Sequence, residues 1–174
     1  FVFLMSAYLS ESSGGLKLLE LKYSAPKMEV VLDYDLLSQQ KLSEEQERGV
    51  IASGQNMVTV ITGGPGTGKT TMINAMIKLF ENSGLTVALA APTGRAAKRM
   101  TQATGKEAKT IHRLLEYGAM DEDEEELSEE YGRFRRNKNN PLAVEAVIID
   151  EFSMVDIYLF HNLLEAIEPG TRLV

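Results

Sequence analysis

No cysteine occurs in the 174 residues. That rules out a disulfide framework and a thiolate metal site, and makes a reducing, cytoplasmic setting the expectation. No apolar run is long enough to span a membrane. The opening FVFLMSAYL has nine residues, carries no basic lead and gives way to SESSGG, so it reads as neither a signal peptide nor a transmembrane helix. No internal repeat is visible. Basic residues are outnumbered 18 to 25, for a net charge of −7, which at first sight speaks against a nucleic-acid partner. What is present is ordinary globular material, 44% hydrophobic and 25% charged, about one domain long. With Phe1 at its start and TRLV at its end, the chain reads as a piece of something longer.

The negative charge is unevenly spread. Asp121 to Lys138, DEDEEELSEEYGRFRRNK, holds eight acids against four bases. Ala91 to Glu116 instead carries Arg95, Lys98, Arg99, Lys106, Lys109 and Arg113 against Glu107 and Glu116. A phosphate backbone feels charge within a Debye length, so a basic segment inside an acidic protein can still meet DNA. The acidic run, about 119–140, reads as a solvated or disordered insertion that RFRRNK partly neutralises, kept from DNA by its sign.

Residues 1–40 read as the tail of a preceding domain or a linker, with SESSGG as a loop and LKLLELKY too short to type. Ser43 followed by Gln46 in LSEEQERGVIASG is a capping-box pattern, with acids in the first turn and Gly54 at the stop. Strand and helix patterns then alternate: MVTVIT a strand, Lys69 to about Asn82 a helix ended by Gly84, TVALAA a strand, Gly94 to Ala103 a helix. TIHRLLEY is a short helix, AVEAVIIDE a strand, Asp156 to Ile167 a helix, and TRLV the start of another strand. This order predicts an α/β fold with a parallel sheet covered by helices on both faces.

GGPGTGKT, Gly63 to Thr70, satisfies the P-loop pattern. Gly63, Gly64, Pro65, Gly66, Thr67 and Gly68 would turn backbone N–H groups toward phosphate oxygens, and the helix that follows adds its positive end. Lys69 would reach the β- and γ-phosphates of ATP, the Thr70 hydroxyl would ligate Mg²⁺, and Thr71 completes the nucleotide contacts. AVIIDEFS supplies the second half of such a site. An apolar strand ending in Asp150 and Glu151 opens at the carboxyl edge that also carries the P-loop. Asp150 would hold Mg²⁺ through water, and Glu151 would orient and deprotonate the attacking water.

These parts also occur in kinases, GTPases and other ATPases. The guanine-specific Asn/Thr-Lys-x-Asp signature is absent, as is Asp-x-x-Gly, and a small-molecule kinase needs no basic helix after its second strand. In APTGRAAKRMTQATG a helix capped by Thr93 would bury Ala96, Met100, Ala103 and Thr104. Arg95, Lys98, Arg99 and Gln102 would then form another face, outward and basic, which could be merely solvated. In TIHRLLEY, Ile111, Leu114 and Leu115 form the core face and leave His112 and Arg113 off it; His161 reads as structural.

Taken in order, VITGGPGTGKTT, LAAPTGRAAKRM, TIHRLL and VIIDEFSMVD resemble the early motifs of the RecD-like ATP-dependent DNA helicases, the 5′-to-3′ branch of superfamily 1. The match covers Leu42 to Val174. The resemblance implies a RecA-like first motor domain over 41–174, incomplete at its C-terminus, with ATP and Mg²⁺ as cofactors. It also implies single-stranded DNA as the partner, a role in DNA repair or recombination, and nuclease or helicase subunits as possible associates. It assigns Gln46 to the adenine, Lys69, Asp150 and Glu151 to catalysis, and Thr93, Arg95, Thr110 and His112 to the DNA path. The intact protein would couple hydrolysis to translocation and unwinding. Alternatives are a DNA-stimulated remodeller that does not unwind, or a nucleotide-binding module not catalytic alone. Residues 1–174 by themselves are expected to be inactive, because TRLV precedes the Gly-Asp-x-x-Gln element and any arginine finger, whose loss slows phosphoryl transfer by about 10³ to 10⁵.

Overall fold

The computed structural model describes residues 4–64, 66–118 and 134–174. Most of the expected acidic insertion, 119–133, lies outside the described residues, as does Pro65. The elements run α1 (Met5–Tyr23), α2 (Tyr34–Ser38), α3 (Glu44–Gln55), α4 (Lys69–Asn82), β1 (Val87–Ala91) and α5 (Gly94–Thr104). They continue with β2 (Ala108–Thr110), α6 (Ile111–Leu114), β3 (Ala146–Ile149), a 3-10 turn at Phe152–Met154, α7 (Ile157–Glu165) and β4 (Arg172–Leu173).

The four strands form one parallel sheet in the order β2-β1-β3-β4. Successive side chains of a strand point to opposite faces, and β3 shows the result: Ala146 and Ile148 pack with α3 and α4, Val147 and Ile149 with α1 and α7. Four fully enclosed apolar residues in a row are what a central strand covered on both sides requires. On one face α4 buries Met72, Ile73, Ala75, Met76, Ile77, Leu79 and Phe80. On the other, Leu163 and Leu164 of α7 meet Leu21 of α1. The expected α/β architecture, RecA-like with helices on both faces, is therefore present.

Several local expectations change. SESSGG is not a loop but the middle of α1. Gly14 is buried there, and a Cβ on it would lie 3.8 Å from Leu164 Cδ1, so small residues let α1 approach α7. Tertiary packing thereby outweighs the low helix propensity of glycine and serine. Residues 1–40 also connect to the sheet: Lys27 N–H donates to the Gly170 carbonyl (3.0 Å), and Arg172 Nη1 to the Met28 carbonyl (2.8 Å). MVTVIT is not a strand of the sheet. Only Val58 pairs, in a single parallel bridge to Leu173, because its neighbour β4 offers two residues and Val60 is 83% exposed. TIHRLLEY shrinks to the single turn of α6, preceded by the unexpected β2, whose three residues pair with β1. In α5 Ala97 is buried and Ala103 is exposed, reversing that detail of the expected stripe, while Ala96 and Met100 are buried as expected. The helix α3 continues past Gly54 to Gln55, and α7 spans Ile157–Glu165 within the longer expected range.

Among the described residues no helix is long and apolar enough to cross a membrane.

Candidate nucleotide and nucleic-acid site

The phosphate loop lies between Val58, bridged to β4, and α4, which begins at Lys69. Gly66 and Gly68 both have φ +78, a left-handed conformation that glycine adopts without steric cost. Gly63, Gly64, Gly66 and Thr67 are exposed, and a Cβ on Gly64 or Gly66 would meet nothing within 4 Å. The loop is thus open to solvent at a helix N-terminus, where N–H groups lack intrahelical partners and anions are favoured. Thr67 Oγ1 closes it by donating to the Gly64 carbonyl at 2.9 Å. Lys69 Nζ donates to the Gly63 and Gly64 carbonyls at 2.6 and 3.1 Å, which holds its charge over the cradle. Thr70 and Thr71, one step into the helix, are exposed.

Gln46 closes the capping box of α3: Ser43 N–H donates to its Oε1 (2.9 Å), and its own N–H donates to Ser43 Oγ (3.3 Å). The same carboxamide reaches the phosphate loop, since Nε2 donates to the Thr67 carbonyl at 2.8 Å. A Cβ on Gly68 would come within 2.3 Å of that Nε2. The residue expected at the adenine is therefore also the tie between α3 and the loop. Both ends of its amide are engaged.

Asp150 and Glu151 follow β3. Asp150 N–H donates to the Ala90 carbonyl (3.0 Å), continuing the β1–β3 ladder one step, and Glu151 N–H donates to Asp150 Oδ1 (2.9 Å). Glu151 has φ 57, a left-handed conformation uncommon for a side chain with a Cβ. Lys69 and Asp150 border a common cavity of about 390 Å³, mostly apolar and also lined by Val60, Met72, Ile148 and Phe152. Gly63, Gly64, Gly66, Thr67 and Gly68 do not line it, so it opens beside the glycine-rich loop. The donor set suits Mg²⁺ shared with phosphates: a hydroxyl at Thr70 and a carboxylate at Asp150 are hard oxygen ligands, and such a cation needs only one or two from the protein. Among the described residues no group of three or more His, Asp or Glu could hold a metal by itself.

The residues expected along DNA sit on the same edge. Thr93, just past β1, caps α5 by accepting from Ala96 N–H at 3.2 Å; Thr110, at the end of β2, caps α6 by accepting from Arg113 N–H at 3.2 Å. Ala91 is in register with Thr110, so both caps emerge side by side at the carboxyl end of the sheet. Arg95 is exposed on the first turn of α5. His112 is exposed but packs its ring against Tyr117 (5.5 Å, edge-on) and Phe134 (5.8 Å). One link was not foreseen: Arg99 of α5 forms an ion pair with Glu151. The available signal was positional, because α5 and Glu151 both leave adjacent strands at this edge.

A parallel sheet sandwiched by helices, with a glycine-rich loop leading directly into Lys69 and Thr70 and an acidic pair at the end of a central strand, defines a RecA-like P-loop nucleoside-triphosphatase domain. The family model for the AAA domain matches residues 46–174. The ATP-dependent RecD2 DNA helicase of Deinococcus radiodurans is 41% identical over 133 residues, covering 76% of this chain and 17% of that protein. The RecBCD enzyme subunit RecD of Mycolicibacterium smegmatis is 37% identical over 154 residues, 75% of this chain and 26% of that one. The ATP-dependent DNA helicase dda of Enterobacteria phage T4 is 38% identical over 116 residues, 66% of this chain and 25% of that one. The chain belongs to the AAA-domain family and is similar to the RecD2 and RecD proteins named above. It spans between 17% and 26% of the length of these three relatives.

Proposed function

We propose that this chain is the ATP-binding motor domain of a DNA helicase that moves 5′ to 3′ along a single strand. The observation that carries this is the shared carboxyl edge: Thr93, Thr110, Asp150 and Glu151 all leave strands there, and Lys69 borders the same cavity as Asp150. The nucleotide phosphates would lie in the cradle Gly63 to Thr71. Lys69 would exchange the Gly63 and Gly64 carbonyls for the β- and γ-phosphates, a stronger, charge-assisted pairing. Gln46 would meet the adenine after releasing the Thr67 carbonyl. Thr70 and Asp150 would hold Mg²⁺, which neutralises charge on the transferring phosphoryl group. Glu151 would take the proton of the attacking water as that oxygen bonds to the γ-phosphorus and the bond to the β–γ bridging oxygen breaks, releasing ADP.

Thr93, Arg95, Thr110 and His112 would contact the strand without reading its sequence, so binding would weaken with salt. Coupling to a second motor domain, and to nuclease or helicase subunits, would belong to the intact protein. Strand displacement by that protein on duplexes with 5′ or 3′ single-stranded tails tests the reading. Unwinding from the 5′ tail is the expected outcome. A 3′ preference would contradict it, and DNA-stimulated hydrolysis without displacement would make the protein a remodeller instead.

A further inference from the structure

We propose that Arg99 is a positioning residue that withholds Glu151 until DNA arrives, so that the phosphodiester backbone itself switches hydrolysis on. This rests on the reading of Glu151 as the base and of α5 as a DNA-facing helix. In the structure Arg99 Nη2 donates to Glu151 Oε1. That charge-assisted bond draws the carboxylate toward α5 and lowers its readiness to take a proton from a water placed elsewhere. The backbone at this residue is also constrained: Glu151 is left-handed, with φ 57, and its N–H is tied to Asp150 Oδ1. A conformation of this kind persists only where its surroundings impose it, and such positions cluster at switches and active sites.

Arg99 can be reached by a competitor. Its side chain is 61% exposed, against 31% for that of Glu151, and exposed ion pairs are weak and screened by salt. It lies four residues after Arg95, one helical turn along α5 or about 6 Å, on the same face. A strand that meets Thr93 and Arg95 therefore carries its phosphates within reach of Arg99. The planar guanidinium fork matches phosphate in a bidentate pairing. When Arg99 turns to phosphate, Glu151 loses its partner and becomes available to the water. Neither Lys98 nor Arg113, also exposed and basic at this end, has an ion pair with Glu151. The switch is therefore assigned to one side chain.

The test is steady-state ATP hydrolysis by the intact protein and its Arg99→Gln variant, without DNA and with saturating oligothymidine. The substitution is at an exposed position of a helix surface, where changes are tolerated. Without DNA the variant should turn over about two- to fivefold faster than the wild type, as expected for release of a weak surface pair. With saturating DNA the two should agree within about twofold, so the stimulation ratio falls. The KM for ATP should not move. An unchanged or lower DNA-free rate, with wild-type stimulation intact, would overturn the role of Arg99 and leave the helicase reading standing. A wild type that DNA does not stimulate would overturn both.

Discussion

Glu145 shows how one carboxylate ties the sheet to its surroundings. It accepts from both the hydroxyl and the N–H of Thr86, just before β1. The hydroxyl bond first, then the amide bond, holds its carboxyl below the ordinary glutamate range, with Lys27 adding a smaller contribution. The folded state therefore binds this proton less readily than the unfolded chain. The stabilisation is complete above the ordinary carboxylate range and is lost as pH falls through that range toward the lowered folded value. Thr86→Val removes the hydroxyl. Urea unfolding of wild type and variant should show a stability difference at pH 7 that shrinks on acidification toward pH 3; a difference independent of pH would contradict the linkage. At the same scale, Gln46 shows what residue patterns convey. Its capping partner was legible from Ser43 three residues earlier, whereas its bond to the Thr67 carbonyl depends on where the fold brings a loop 21 residues away.

Among the elements, α4 was legible at its start and closely at its end. A glycine at each end requires a positive φ, +78 at Gly68 and +83 at Gly84, and these bound the helix at Lys69–Asn82 and its turn. The three-residue β2 was not legible, because its identity as a strand comes from pairing with β1 and not from its own composition. Arg172 was hidden in the same way. It is 2% exposed within an apolar run, with Nη1 on the Met28 carbonyl and Nη2 on the Gly54 carbonyl (2.8 and 3.3 Å). Burial lowers the pKa of its guanidinium, partly offset by Glu29. In this position the side chain supplies donors near the end of α3, where carbonyls lack intrahelical partners. The helix α5 yields a prediction that separates support from recognition. Thr93→Asp keeps an N-cap acceptor, so unfolding free energy should change by less than about 1 kcal/mol. It also places a negative charge at the proposed DNA edge, so affinity for single-stranded DNA should fall at low salt. Chemical unfolding and fluorescence anisotropy check the pair, and unchanged DNA affinity would remove Thr93 from the strand's path.

For the molecule as a whole, the order of strand and helix patterns was enough to expect a parallel sheet buried on both sides, since β3 reads as a continuous apolar run and α4 carries the broad apolar face of Met72 to Phe80 that the fold buries. The placement of α1 was not accessible, because its contact with α7 joins residues such as Ser13 and His161 that are 148 positions apart. The candidate site divides similarly. Gly63 to Thr71, Asp150 and Glu151 could be proposed from the sequence because the chemistry expected of them requires fixed residue types at fixed spacing, whereas the Arg99–Glu151 pair comes from two strands meeting side by side. In the proposed reading the same edge would join nucleotide to nucleic acid, and this union is tested most directly by ATP hydrolysis of the intact protein with and without single-stranded DNA, alongside Lys69→Ala. Hydrolysis that rises with DNA and is abolished in Lys69→Ala is the predicted result. Turnover indifferent to DNA, or surviving the loss of Lys69, would contradict a DNA-driven motor at this site.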